Sequence, residues 1–493
     1  MFLEVMWFVE EVFLTVECYN FHLKDKNISS TTNTSLFDLI PKLDLGRGYV
    51  MIRLSKCPLP EESFQSLFRI LNTTNVKKLI IDSSPSEIHL IPPYFENHPS
   101  VEFIAFKQNA GLNELSSDLF KGLNNLKTLE LTGNNITTLD PFVFQHLISL
   151  EDLDISYNKI TALDSGIFQN LTFLQLFDMS YNQIVILSSN LFWNVPNLKT
   201  INISFNKISI LPSGIFDNLI KLEEFTAINN TFQKFPSGLF SKTEKLRMIT
   251  IETQSALTVL PEKFLANLPD LWNVILNDCG IEDLPSNLFW NSKSLKMISL
   301  SGHKKLTSIP RDLFRDCPNL YSLNLANNGL SGLEKNTFAT LEGLPSLDLS
   351  GNRLETIIGD VFNGTLKLEH LSLNDNKLKF ISNITFSKLC KKSRSLTSLD
   401  LSNNFLKLGP DEPNSFSQLK SCDILEKLFL SGNRITQIYK DWMNPISQLK
   451  ELSLERNNIT SIPDYVLSPT SCTELEFFEI KETILEMDLS YNQ

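Results

Sequence analysis

The 493-residue sequence is short of positive charge, histidine, glycine and uninterrupted apolar runs, and it carries no paired cysteine motif. Lys and Arg number 44 against 56 Asp and Glu, a formal net charge of −12. The basic face that a nucleic-acid binder needs is missing, so no nucleic-acid partner is expected. No stretch of 18 or more apolar residues occurs, which leaves no membrane span within the chain. The six histidines (His22, His89, His98, His146, His303, His370) are scattered, without H-E-x-x-H or other close ligand spacing. None of the seven cysteines forms a C-x-x-C pair, which argues against zinc ribbons and thioredoxin-like chemistry. With no G-x-S-x-G and no phosphate-cradling glycine loop, no catalytic residue, metal or cofactor is expected, and the chain does not read as an enzyme.

What is present is repetition. Units begin at Val76, Val101, Leu126, Leu150, Leu174, Leu198, Leu222, Leu246, Leu271, Leu295, Leu320, Leu344, Leu368, Leu396, Leu425 and Leu449. The spacing is 24 or 25 residues, except for 28 after Leu368 and 29 after Leu396. Sixteen copies of L-x-x-L-x-L-x-x-N-x-L in register are the leucine-rich-repeat pattern. Within a copy, Leu153 and Ile155 alternate with Asp152 and Asp154, as in a short strand with one buried face. Stacked copies predict an α/β solenoid: a leucine-rich-repeat horseshoe with a parallel concave sheet and short helices or turns on the convex side.

One polar residue recurs inside this apolar frame. Asn109, Asn134, Asn158, Asn182, Asn206, Asn230, Asn328, Asn352, Asn376, Asn404, Asn433 and Asn457 form a ladder. An inward turn strands backbone groups away from water, and an amide side chain supplies both donor and acceptor to them. Gln254, Cys279 and His303 interrupt the ladder in three consecutive units, so the middle of the array is expected to be its least regular part. A second marker is phenylalanine, from Phe120 through Phe144, Phe168, Phe192, Phe216 and Phe240 to Phe416, expected as a buried spine.

Four segments result. Residues 1–22 are apolar but hold Glu4, Glu10, Glu11 and Glu17 and no early basic residue, a poor signal-like segment that an imperfect gene start or a short amphipathic helix fits as well. Residues 23–75, ending in a strand-like "VMIRLSKC", read as an N-terminal cap. Residues 76–474 are the sixteen repeats. Residues 475–493 restart the frame at Ile484, Met487 and Leu489 and stop, an incomplete last repeat without its cap, so the chain is expected to be a fragment, a soluble decoy or an incomplete gene product. Cys390 and Cys422 sit in the two enlarged units and are expected to bridge; Cys18 and Cys57 are the second candidate pair. Candidate N-glycosylation sites are Asn72, Asn135, Asn170, Asn202, Asn229, Asn363, Asn383 and Asn458.

The remaining surface is the open strand face. Units from Leu126 to Leu246 place acids there, among them Glu151, Asp152, Asp154 and Asp178. The next units show Trp272, Ile275, Met297 and Tyr321, with Met248 and Ile228 abutting them. Adjacent exposed apolar side chains mark a candidate interaction patch.

Two stretches resemble one particular family. "VMIRLSKCPLP" is similar to the cap of arthropod Toll receptor ectodomains, and "IYKDWMNPISQLKELSLERNNIT" (438–460) resembles a late segment of the Toll array. The resemblance implies a cell-surface, extracellular ectodomain that binds a Spätzle-like cystine-knot cytokine, with receptor dimerisation and signalling through a TIR domain in innate immunity and patterning. Membrane attachment would come only through a C-terminal span that these residues do not include. A secreted leucine-rich-repeat adhesion or immune-complex protein without TIR signalling is the alternative.

Overall fold

The structure, a computed structural model, describes residues 2–7, 11–17, 49–57, 64–84, 94–95, 98–357, 361–381, 385, 390, 395–407, 422–437, 448–460 and 477–479. The chain divides into two compact units, residues 1–232 with 238–246, and residues 233–237 with 247–493. Each is a stack of parallel strands, one strand per repeat: a β-solenoid of leucine-rich repeats.

In the first unit the parallel sheet runs from Glu11–Glu17 through Tyr49–Ser55, Val76–Asp82, Phe103–Lys107, Thr128–Glu130, Asp152–Asp154 and Leu176–Asp178 to Thr200–Asn202 and Glu224–Ile228. Leu153 pairs in register with Leu129 on one side and Phe177 on the other, so the frame leucines form a continuous buried row. The first residues depart from expectation. Phe2–Trp7 and Glu11–Glu17 form an antiparallel pair of strands in place of the short amphipathic helix that is one reading of these residues. The reason is periodicity: Val12, Leu14 and Val16 alternate with polar or half-exposed neighbours, and Leu14 and Val16 are buried. Glu11–Glu17 pairs with the strand at 49–55, and Glu17 adds an ion pair to Lys56 at 3.0 Å.

The second unit repeats the design from Met248–Glu252 to Glu451–Ser453, and its sheet extends to Phe477–Glu479. That last strand puts Phe478 opposite Leu452. It precedes the restart at Ile484, which lies outside the described residues, and is a unit that the leucine frame passes over because the sequence has Thr483 where the ladder asparagine is expected.

The outer segments are turns, with hydrogen bonds between residues three apart: Val143 N–H to Asp140, Gln145 to Phe142, Leu147 to Phe144 and Leu150 to Leu147. The only helix among the described residues is Gln65–Ile70, in the cap. The phenylalanines stack from unit to unit. Phe192, Phe216 and Phe240 are each about 1% exposed, with successive ring centroids 6.0 and 5.8 Å apart. Phe386 and Phe416 lie outside the described residues.

The ladder satisfies the backbone as its chemistry dictates. Asn158 Nδ2 donates to the carbonyls of Leu131 (2.7 Å), Ile155 (3.0 Å) and Ser156 (3.0 Å), and its Oδ1 accepts the Ile136 N–H at 3.1 Å. Asn182, Asn206, Asn352, Asn376, Asn404, Asn433 and Asn457 repeat the bond to the carbonyl of the preceding unit, and Asn134, Asn230 and Asn328 make it too. The middle of the array differs from the rest in strand length. Strands Met248–Glu252 and Asn273–Asn277 are five residues long against three in most units. The substitutes keep the contact: Cys279 Sγ lies 3.8 Å from the Ile251 carbonyl and His303 Nε2 lies 2.9 Å from that of Leu276.

His303 is an imperfect substitute, because its Nδ1 also faces a carbonyl, that of Cys279 at 3.1 Å. A neutral imidazole can donate to only one of the two. Burial nonetheless lowers its pKa below the ordinary histidine value, and burial does the same to His98, which packs edge-on against Phe68. For both, the unfolded chain binds more protons than the native one below about pH 6.5, so their stabilising contribution is complete above that pH and drains as pH falls. Asp152, Asp154 and Glu252, raised by burial, act in the opposite sense at more acid pH. His303→Asn, which restores the ladder residue, should therefore reduce the fall in melting temperature between about pH 7 and about pH 5. An unchanged fall would assign the acid sensitivity elsewhere.

Cys390 and Cys422 form a disulfide with Cα atoms 4.7 Å apart, tying the two enlarged units. Cys57 is disulfide-bonded and its Sγ lies 3.6 Å from the Val16 carbonyl; Cys18, its expected partner, lies outside the described residues. Cys279 and Cys317 are free and buried, with thiols pushed up to about 12 by burial, which keeps them unreactive.

Candidate functional site

The open strand face of the first unit is built in rows, because parallel register aligns equivalent positions of successive repeats. One row reads Glu130, Asp154, Asp178 and Asn202, another Thr128, Asp152, Leu176 and Thr200. Adjacent members sit one strand apart, about 4.8 Å. Three carboxylates in succession repel, and the fold relieves them locally. Asp154 and Asp178 each accept the N–H of the serine two residues on at 2.8 Å, and Asn202 Nδ2 donates to Asp178 at 2.9 Å. Lys107 pairs with Glu130 at the row's end. Burial raises the carboxyls of Asp152 and Asp154, and neighbouring acids reinforce the shift against hydrogen bonds from Thr128 and Ser156. Glu151 sits beside this row and accepts from Gln175 at 3.3 Å.

The structure separates the apolar candidates. Ile228 belongs to the first unit and is half-buried; the other five belong to the second. There Met248, Asn273, Met297 and Ser322 share one register row, and Ile275 pairs with Thr250 and Ser299. Trp272 and Tyr321 precede this row, with Lys296 between them in the stack. Trp272, Met297 and Tyr321 are exposed by 37%, 42% and 66%, while Met248 and Ile275 are half-buried. The patch is a checkerboard of apolar and polar side chains, not a continuous strip, because alternate strands carry the large residues.

Among the glycosylation candidates, Asn72, Asn170, Asn229 and Asn458 are exposed, Asn135, Asn202 and Asn363 are half-buried, and Asn383 lies outside the described residues. Asn202 is on the open face with its amide nitrogen already engaged by Asp178. Among the described residues no three His, Cys, Asp or Glu side chains converge as a metal site would require, and no helix is long and apolar enough to cross a membrane.

Sequence comparison agrees with the stacked units. A leucine rich repeat profile matches residues 106–160, 148–208, 293–354, 342–406 and 423–475, and a second matches 395–419, together more than half of the chain. The chain belongs to the leucine-rich repeat family. Curated relatives of this leucine-rich-repeat chain match locally. Tsukushi of Xenopus tropicalis is 31% identical over 121 residues, covering 20% of this chain and 33% of its own length. Tsukushi of Gallus gallus is 32% identical over 134 residues, covering 23% and 35%. The chain therefore aligns with about a third of these relatives. Among solved structures, the Toll–Spätzle complex, described as a molecular hub in Drosophila development and innate immunity, matches with a TM-score of 0.80 and 26% identity, over 97% of this chain and 62% of that one. A Leptospira interrogans leucine-rich-repeat protein matches with a TM-score of 0.62 at 21% identity, over 85% and 92%, a likeness of fold alone.

Proposed function

We propose that this chain is the ligand-binding ectodomain, or part of one, of a Toll-type receptor, and that its ligand is a Spätzle-like cystine-knot cytokine of innate immune or developmental signalling. The carrying observation is the likeness to the Toll–Spätzle complex over 97% of the chain. The N-terminal cap segment and the stretch at 438–460, which resemble Toll, support it independently; residues 438–447 of the latter lie outside the described residues. The Tsukushi matches, confined to about a fifth of the chain, support the repeat and not the secreted alternative. A binding surface in place of a catalytic centre fits the fold, and signalling would need dimerisation together with membrane and cytoplasmic segments beyond these residues.

On this reading the acidic rows accelerate encounter with a basic ligand, and the large side chains at Trp272, Met297 and Tyr321 anchor it. Trp272→Ala and Tyr321→Ala should each weaken cytokine binding about 30-fold, measured by surface plasmon resonance with the cystine-knot cytokine of the same organism. Unchanged affinity in both variants, together with tighter binding by Asn202→Gln, would move the ligand to the lateral face. No binding by the unaltered chain would overturn the assignment of the ligand.

A further inference from the structure

Beside the carboxylate row of the first unit runs a second feature. Tyr157, Tyr181 and Phe205 occupy the same place in three consecutive repeats, one residue before the ladder asparagine. Their rings lie face to face, with centroids 4.0 and 4.1 Å apart and planes within 9° and 10°. Tyr157 and Tyr181 are exposed, by 54% and 38%. All three have φ 53°, in the left-handed region that bulky residues rarely adopt. Other units mostly fill this position with residues for which that conformation is cheap, such as Gly133, Asn229, Asn327 and Gly351. Three aromatic rings in succession, in a costly conformation and facing water, add little to the core. Persistent backbone strain at an exposed surface points to function.

The ring column ends at Gly133, which leaves the outer face of Tyr157 open. A Cβ placed on Gly133 would lie 3.3 Å from Gln108 Cγ, so the Gln108 side chain bounds the far side of the recess. Asp154 stands in the same turn, three residues before Tyr157. Its Oδ1 accepts the Ser156 N–H, and the Ser156 hydroxyl also bonds this carboxylate, which has lone pairs left for a further donor.

We propose that this recess, floored by Gly133 between Tyr157 and Gln108, takes an arginine side chain of a protein partner, its guanidinium plane continuing the ring column and its N–H groups donating to Asp154. The choice of partner follows from shape and charge. A guanidinium is planar, stacks on aromatic faces and presents donors at its edge, whereas a lysine ammonium supplies charge without a plane. The adjoining acids and the net charge of −12 favour a cation over a neutral sugar. The inference holds for any basic protein partner and does not depend on that partner being a cystine-knot cytokine.

Two equally charged synthetic peptides, Gly-Arg-Gly-Arg-Gly and Gly-Lys-Gly-Lys-Gly, and a chito-oligosaccharide test it by surface plasmon resonance on the whole chain. The arginine peptide should bind about 2- to 5-fold tighter than the lysine peptide. Tyr157→Ala should remove that preference. Gly133→Tyr should remove it too by filling the recess, and it carries the test alone should Tyr157→Ala fail to fold. Gly133 has φ 74°, so tyrosine there carries the same kind of backbone cost that the equivalent position one unit on bears with Tyr157 at φ 53°, and Gln108 must shift slightly to admit its Cβ. Equal binding of the two peptides by the unaltered chain, or a preference that survives Gly133→Tyr, would overturn the proposal. Oligosaccharide binding lost in Tyr157→Ala, without any peptide preference, would overturn it in favour of a sugar platform.

Discussion

Phe216→Ala should destabilise the first unit by about 3–5 kcal/mol, the cost of removing a phenyl ring from a closed core. Phe216 is about 1% exposed and touches Phe192, Phe225 and Phe240, with ring centroids 6.0, 5.2 and 5.8 Å away. The turns on either side hold it by hydrogen bonds three residues apart, such as Leu219 N–H to Phe216, so they have little freedom to collapse into the void. Because each repeat leans on its neighbours alone, the loss should appear first as reduced hydrogen-exchange protection across residues 190–245, and then as a lower denaturation midpoint. A change below about 1 kcal/mol would show that the ring column is not what closes the outer side of the repeats.

The second large effect is polar. Asn158→Leu has nearly the right volume and removes every bond of the ladder residue at once. It strands the buried N–H of Ile136 and takes one donor each from the carbonyls of Leu131 and Ile155, which keep the amides of Asn134 and Asn182. At about 1–3 kcal/mol for an unsatisfied buried group, a loss of about 1–3 kcal/mol is expected. Asn158→His should cost less, since His303 holds the equivalent place and reaches the equivalent carbonyl. Urea unfolding followed by circular dichroism separates the cases. Leucine and histidine variants of equal stability would refute the ladder as the source of the effect.

Much of this architecture was legible in the residues. The frame leucines, the ladder and the phenylalanine spine repeat at one period, and a repeated error of register would have been visible in every unit. Single places without a repeat were harder. The strand pair at Phe2–Trp7 and Glu11–Glu17 reads equally as a poor signal-like segment, an imperfect gene start or a short amphipathic helix, because hydropathy averages over the alternation of Val12, Leu14 and Val16. The strand at Phe477–Glu479 was passed over because the sequence after it has Thr483 in place of the ladder asparagine. Cys279 and His303 looked like interruptions because residue type changed, while the contact to the preceding carbonyl did not. The candidate binding surface was the least legible part. Which side chains share a row depends on register, and register put Asn273 between Met248 and Met297. The aromatic column escaped notice for a related reason: Tyr157, Tyr181 and Phe205 lie outside the leucine frame, and only stacking brings their rings within 4.0–4.1 Å.

The ladder bonds have a genetic consequence. Each asparagine side chain reaches only its own unit and the unit before it, the latter across 22 to 32 residues of chain. Deleting residues 150–173 would join Ser149 to Leu174 as it is now joined to Leu150, and Asn182 would meet the Leu131 carbonyl that Asn158 meets now. Unequal recombination between repeats can therefore add or remove whole copies without breaking a single class of bond. Copy number is left to drift under selection on the exposed residues, while the ladder and the ring column tolerate any whole number of turns.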